Sequence, residues 1–281
     1  MAPESSDQIR QLTDELRQAR EELKRYGELL LTIQKSILPQ QLPAVPSLDL
    51  AVHFADADGV GGDFYDVHPI GLDRWAFVIA DVVGHGLAAA ALLGMVHALG
   101  SAVRGQASPP SPGASLSLVN QPLTRYLADS GQYVTAFVGR YDAQTRVLTY
   151  ASAGHPYARL IRGDSVLRLD AATAIPLGIS AKSVYEEASV QLQPGDRLVL
   201  FTDGITESMN TAHELFGDER LDAVVCASAI TAAELLSRVV KSVRTFRGGG
   251  PANDDETCLV ALVKPIPALL PNPESEELRC A

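Results

Sequence analysis

Gly195–Ser208 reads GDRLVLFTDGITES, a run of strand-forming residues from Arg197 to Thr202 that ends on Asp203 and Gly204. A strand that ends in an aspartate projects its carboxylate from a rigid element, and the glycine beside it lets the backbone turn sharply and approach an ion or ligand. Three other stretches repeat the arrangement: GVGGDFYD at 59–66 with Asp63, IADVVGHG at 79–86 with Asp81, and NDDET at 253–257 with Asp254 and Asp255. Any one Asp-Gly pair is an ordinary turn. The set points further, because several carboxylates with no cysteine or patterned histidine pair among them suit magnesium or manganese better than zinc or copper. Two such ions, about 4 Å apart and bridged by carboxylates, lower the pKa of a shared water and stabilise an in-line phosphoryl displacement.

Outward from these motifs, Leu48–Phe54, Trp75–Ala80, Tyr133–Tyr141, Val147–Ala151 and Thr257–Val263 also read as strands. Leu87–Arg104, Ala114–Ala128, Glu219–Ala227 and Ala232–Phe246 read as helices, with GQASPPSPG as the loop between the first two. Strands in succession with helices in pairs differ from a regular βαβ repeat. Upstream, Ile9, Leu12, Leu16, Ala19, Leu23, Tyr26, Leu30, Ile33 and Ile37 alternate steps of three and four, the a/d seam of a coiled coil. Glu15 and Arg20 fall at g and e positions that pair between parallel helices, so the segment 1–38 is expected to self-associate as a homodimer; the alternative is an amphipathic helix folded on its own domain. Pro39, Pro43 and Pro46 end that helix and make 39–47 a linker. The expected domain runs from 48 to 264, and the proline-rich, then acidic, 265–281 is a flexible tail.

The chain has 281 residues, 46% of them apolar and 20% charged, enough for one sizeable domain with a short extension. Its net charge of −11 repels a phosphate backbone, so nucleic acid is not an expected partner. Cys226, Cys258 and Cys280 are widely spaced, which fits neither a disulfide framework nor a zinc site and points to a reducing cytoplasm. MAPESSDQIR lacks the pattern of a secretory signal, and the apolar run Leu87–Val103 reads as a buried helix, so no membrane span is expected. Covalent catalysis finds no G-x-S-x-G elbow and no cysteine phosphate loop, and a Walker A sequence is absent.

GGDFYD, ADVVGHG, ASAGHP, IPLGI, GDRLVLFTDGITES and NDDET, in this order and at these separations, resemble the SpoIIE-type, RsbU-like branch of the metal-dependent PPM serine/threonine protein phosphatases. TIQKSILPQQLP, just before, resembles the segment that joins such domains to an upstream helix or sensor. The resemblance implies an α+β fold, a β-sandwich of two mainly antiparallel sheets flanked by helices, here preceded by the coiled-coil helix. It implies two or more Mn2+ or Mg2+ ions held by Asp63, Asp81, the carbonyl of Val82, Asp203 and Asp254, with Asp63 bridging; Asp255 is the alternative to Asp254. Asp63, Asp81 and Asp203 thereby become the catalytic set, with His85 a candidate proton donor and His155 a structural residue. The implied reaction is hydrolysis of phosphoserine or phosphothreonine on a protein, usually a phosphorylated STAS-domain anti-sigma-factor antagonist. The rival from another class is a phosphatase-like scaffold that acts through its coiled coil.

Overall fold

Alternation along the strands decides which layer each side chain joins. On Arg74–Val82, Phe77 and Ile79 enter one apolar cluster while Ala80 and Val82 enter a second. On Arg197–Phe201, Leu198 and Leu200 enter that first cluster, while Val199 and Phe201 enter a third. Strands covered on both faces read as near-continuous apolar runs, which is why these two stand out in the sequence.

The computed structural model describes residues 3–57, 61–84, 86–128 and 130–265. The chain opens with α1 (Pro3–Ile37), β1 (Leu48–Ala55), β2 (Asp63–Gly71) and β3 (Arg74–Val82). The helix pair α2 (Leu87–Arg104) and α3 (Pro112–Leu127) follows, then β4 (Val134–Asp142), β5 (Val147–Ala153), β6 (Arg159–Arg162) and β7 (Ser165–Arg168). Next come β8 (Thr173–Ala174), β9 (Ala188–Gln191), β10 (Arg197–Phe201) and the single turn α4 (Asp203–Thr206). The second pair, α5 (Gly217–Cys226) and α6 (Ala232–Phe246), leads into β11 (Glu256–Val263).

Two sheets result, one in the order β1-β11-β10-β6-β7 and the other β2-β3-β4-β5-β8, with β9 also paired to β5. Every pairing is antiparallel except the short β5–β8 contact. The first cluster lies between the sheets, the second between the β2-containing sheet and α2/α3, and the third between the β1-containing sheet and α5/α6. The fold is thus the expected α+β sandwich flanked by helices. By length and composition α2 could cross a bilayer, but it packs Leu92, Leu93 and Val96 into the second cluster.

Among the described residues, helix α1 meets the domain through its C-terminal third, where Gly27 faces Leu87 of α2. Gln34 is buried, and Ile37 and Leu38 pack against the domain core, whereas Ile9, Leu12, Leu16, Leu23, Tyr26 and Ile33 of the a/d seam are exposed. A straight α-helix drifts relative to a strict seven-residue repeat. The seam is therefore divided: Leu30 and Ile37 are half-buried while the positions before them face solvent.

Candidate metal centre

Asp63 is the first residue of β2 and Asp81 the last but one of β3, and the register sets them directly opposite each other. Both have the parity of Tyr65 and Ile79, so both side chains belong to the face that looks toward the other sheet. Like charges directly opposed across a strand pair are destabilising. Asp63 is 1% exposed, and its Oδ2 accepts hydrogen bonds from Thr202 Oγ1 at 2.7 Å and Thr257 Oγ1 at 2.6 Å. Those threonines stand at the end of β10 and in β11, so the bonds tie the two sheets together at this edge. Burial and the Asp81 charge hold the Asp63 carboxyl well above its ordinary range, against the two hydroxyl donors.

Asp203 lies two residues past the end of β10 and begins α4, a turn too short to announce itself by periodicity. Asp254 and Asp255 lie in the loop that enters β11. Burial first, then the charges of Asp203, Asp254, Asp255 and Glu207, push Asp81 up to about 8. Burial, Glu207 and Asp254 push Asp203 up to about 6, partly offset by backbone hydrogen bonds. The donors are all carboxylate oxygens, hard ligands suited to Mg2+ or Mn2+, and the cluster has the surplus negative charge a divalent cation would neutralise. Among the described residues no three acid, histidine or cysteine side chains already stand at ligating distance.

The two neighbouring aspartates differ in their surroundings. Asp255 is buried, and its Oδ2 accepts from Gly62 N at 2.7 Å while its Oδ1 accepts from Ala57 N at 2.9 Å. A Cβ on Gly61 would lie 1.9 Å from Asp255 Oδ2, and one on Gly204 would lie 1.9 Å from the Asp255 carbonyl oxygen, so the close approach requires glycine at both positions. Asp254 is half-buried, and its Oδ1 accepts the Asp255 amide at 2.9 Å. Val82 donates its amide to the Gly62 carbonyl at 3.2 Å. His85 lies outside the described residues. His155 is fully buried between the sheets, where its Nδ1 is 2.8 Å from Thr135 Oγ1 and burial pushes its pKa down to about 3, so it is neutral. Thr135 pairs with Asp81 across β3 and β4, which makes His155 a strut behind the site.

Thr202, Glu207 and Gln34 join the neighbourhood without having been singled out in the sequence, whereas Thr257 closes the D-x-x-T frame that begins at Asp254. The threonines sit one residue before Asp203 and three after Asp254, inside motifs already marked. Gln34 is 3% exposed; its Oε1 accepts from Gly61 N at 3.2 Å and its Nε2 donates to Asp56 Oδ1 at 3.4 Å. Burial and the Asp255 charge raise the Asp56 pKa, with Lys35 and Gln34 acting in the other direction. The last turn of α1 therefore holds the loop that Asp255 also pins, two residues before Asp63.

The family model for Stage II sporulation protein E matches residues 72–264, a stretch that contains Asp81, Asp203, Asp254 and Asp255. Phosphoserine phosphatase RsbU of Bacillus subtilis is 31% identical over 189 residues, 64% of this chain and 53% of RsbU. Protein IcfG of Synechocystis sp. is 25% identical over 251 residues, 81% of this chain and 40% of IcfG. The chain thus spans about half the length, or less, of these relatives. Among solved structures, the SiaA-PP2C domain of Pseudomonas aeruginosa superposes with a TM-score of 0.77 at 23% identity, over 86% of this chain and 97% of that one. That likeness establishes the fold.

Proposed function

The chain belongs to the SpoIIE family, on the RsbU-like branch of the PPM phosphatase superfamily, and from that premise we propose that it is a metal-dependent protein serine/threonine phosphatase. The observation that supports this most is the convergence of Asp63, Asp81, Asp203 and Asp254, from four separate segments. Two or more Mn2+ or Mg2+ ions, when bound, would acidify an attacking water and neutralise charge on the phosphoryl oxygens. Asp63 is the proposed bridging ligand, held in one orientation by Thr202 and Thr257. Asp81, Asp203 and Asp254 complete the set, together with the carbonyl of Val82. Asp255, with both oxygens on backbone amides, positions the loop ahead of Asp63. His85 is the candidate donor of a proton to the departing serine or threonine oxygen.

The proposed substrate is phosphoserine or phosphothreonine on a regulatory protein in the cytoplasm, of the STAS-domain anti-sigma-factor antagonist type. RsbU, named as a phosphoserine phosphatase, supports that class. The exposed apolar seam of α1 supports a homodimer, and the Gln34 contact supplies a path from the helix to the metal loop. Manganese titration with turnover of an aryl phosphate tests both parts. Wild type should turn over with manganese, Asp81→Asn should neither bind nor turn over, and Gln34→Ala should bind manganese about 10–100-fold more weakly, as is usual when a support behind a ligand is removed. A folded wild-type protein that neither binds manganese nor turns over would instead be a scaffold. Unchanged affinity in Gln34→Ala would remove the helix from control of the site.

A further inference from the structure

On the far face of the strands that carry Asp63 and Asp81, the sheet does not fill the space beneath its helices. The parity that sends Asp63 and Asp81 toward the other sheet sends Phe64, Val78 and Ala80 toward α2 and α3. There Ala76, Val78 and Ala80 of β3 and Ala136 and Val138 of β4 form the floor of a cavity of about 120 Å³, with Val96, Leu116 and Val119 above it. Small side chains on β3 and β4 leave the room. An apolar cavity of about 150 Å³ is known to stay dry and take up benzene, so this one suits a single aromatic ring or a short branched chain.

One end of the cavity is polar and opens to solvent. Asp66, His68, Arg104 and Arg140 line it and are all part-exposed or exposed. Asp66 is already engaged: its Oδ2 accepts from Arg104 Nη1 at 3.0 Å and lies 2.8 Å from His68 Nδ1. Arg140 has no hydrogen-bond or ion-pair partner among the described residues. Asp66 against Arg104 and Arg140 leaves one positive charge here, in a chain whose net charge is −11. Arg140 sits on β4 beside Ala76, which pairs in turn with His68, so the guanidinium is carried by the same rigid sheet as the floor. A guanidinium matches a carboxylate through two parallel hydrogen bonds.

We propose that this cavity is a binding site for a small carboxylic acid with one aromatic ring or a short branched chain, its apolar body on the alanine-lined floor and its carboxylate on Arg140. The site is separate from the metal centre and needs no metal, so its failure and that of the phosphatase reading are distinguishable.

Benzoate and its neutral counterpart benzamide serve as probes, titrated into the metal-free full chain while backbone amide shifts are followed by NMR. Benzoate should bind saturably, with shifts at Val78, Val96 and Val138, and benzamide about tenfold more weakly, the difference expected for a hydrogen-bonded charge. Arg140→Gln should abolish the difference between the two. Gly100→Leu, on the α2 wall, should block both probes. A Cβ at Gly100 meets no atom within 4 Å, and leucine is the better helix former, so this variant should fold. Ala76→Leu fills the same space from the floor. Absence of saturable shifts in folded wild type, equal binding of the two probes, or undiminished binding in both filled variants would overturn the proposal.

Discussion

Asp63 and Asp81 oppose each other across β2 and β3 in a dry environment, so the metal-free site works against its own fold. The sign of the pH dependence follows. An unfolded aspartate titrates near 3.8, whereas burial and the neighbouring acids push Asp203 up to about 6 and Asp81 up to about 8 in the folded chain. Between those values the folded state holds protons the unfolded chain has released, so stability is greatest at the acid end and falls as pH rises toward about 8. Differential scanning calorimetry of the metal-free protein should show the Tm contribution of this cluster falling between about pH 5 and about pH 8. In Asp81→Asn the fall should shrink and the Tm at about pH 8 should rise, although metal binding is lost. Saturating manganese should restore the wild type at about pH 8, by about 2.7 kcal/mol at a hundredfold excess over Kd. Thr257→Val keeps shape but removes one of the two donors to Asp63, and should weaken manganese binding by about 10–100-fold in calorimetric titration.

At the scale of elements, what was legible in the sequence is what carries its own signal. β3, β4, β5, β10 and β11 are long apolar runs, and α2, α5 and α6 have helical spacing, so these were located to within a residue or two. β2 was marked only through its acid, and β6, β7, β8 and β9, of two to four residues, have too little pattern to read without their partners. Pro112, assigned to the loop by its neighbours, is instead the first residue of α3, where a missing amide hydrogen costs nothing. The aspartates of the site were legible because each adjoins a strand and a glycine or acid. Their supports were not: Thr202 and Thr257 reach Asp63 from 139 and 194 residues away, and Gln34 reaches Gly61 across 27. Such contacts belong to the packing of one sheet on another, which no local pattern encodes.

For the molecule as a whole, a sandwich with its own three apolar clusters carries a long helix whose outer face no described residue covers. Leu12, Leu16 and Leu23 are each more than half exposed, a pattern expected of one strand of a coiled coil. Sedimentation velocity should find a dimer for the wild type and a monomer for Leu16→Asp combined with Leu23→Asp, with the domain still folded; a wild-type monomer at micromolar concentration would contradict the dimer. The central claim, a carboxylate-held metal centre that hydrolyses phosphoserine, is tested most directly by phosphate release from a phosphoserine-bearing STAS protein, with and without manganese, in wild type and Asp203→Asn. The account predicts release by the wild type with manganese alone, and at least about a hundredfold less from Asp203→Asn, the scale of losing one transition-state support. Release that proceeds equally without metal, or survives Asp203→Asn undiminished, would contradict it.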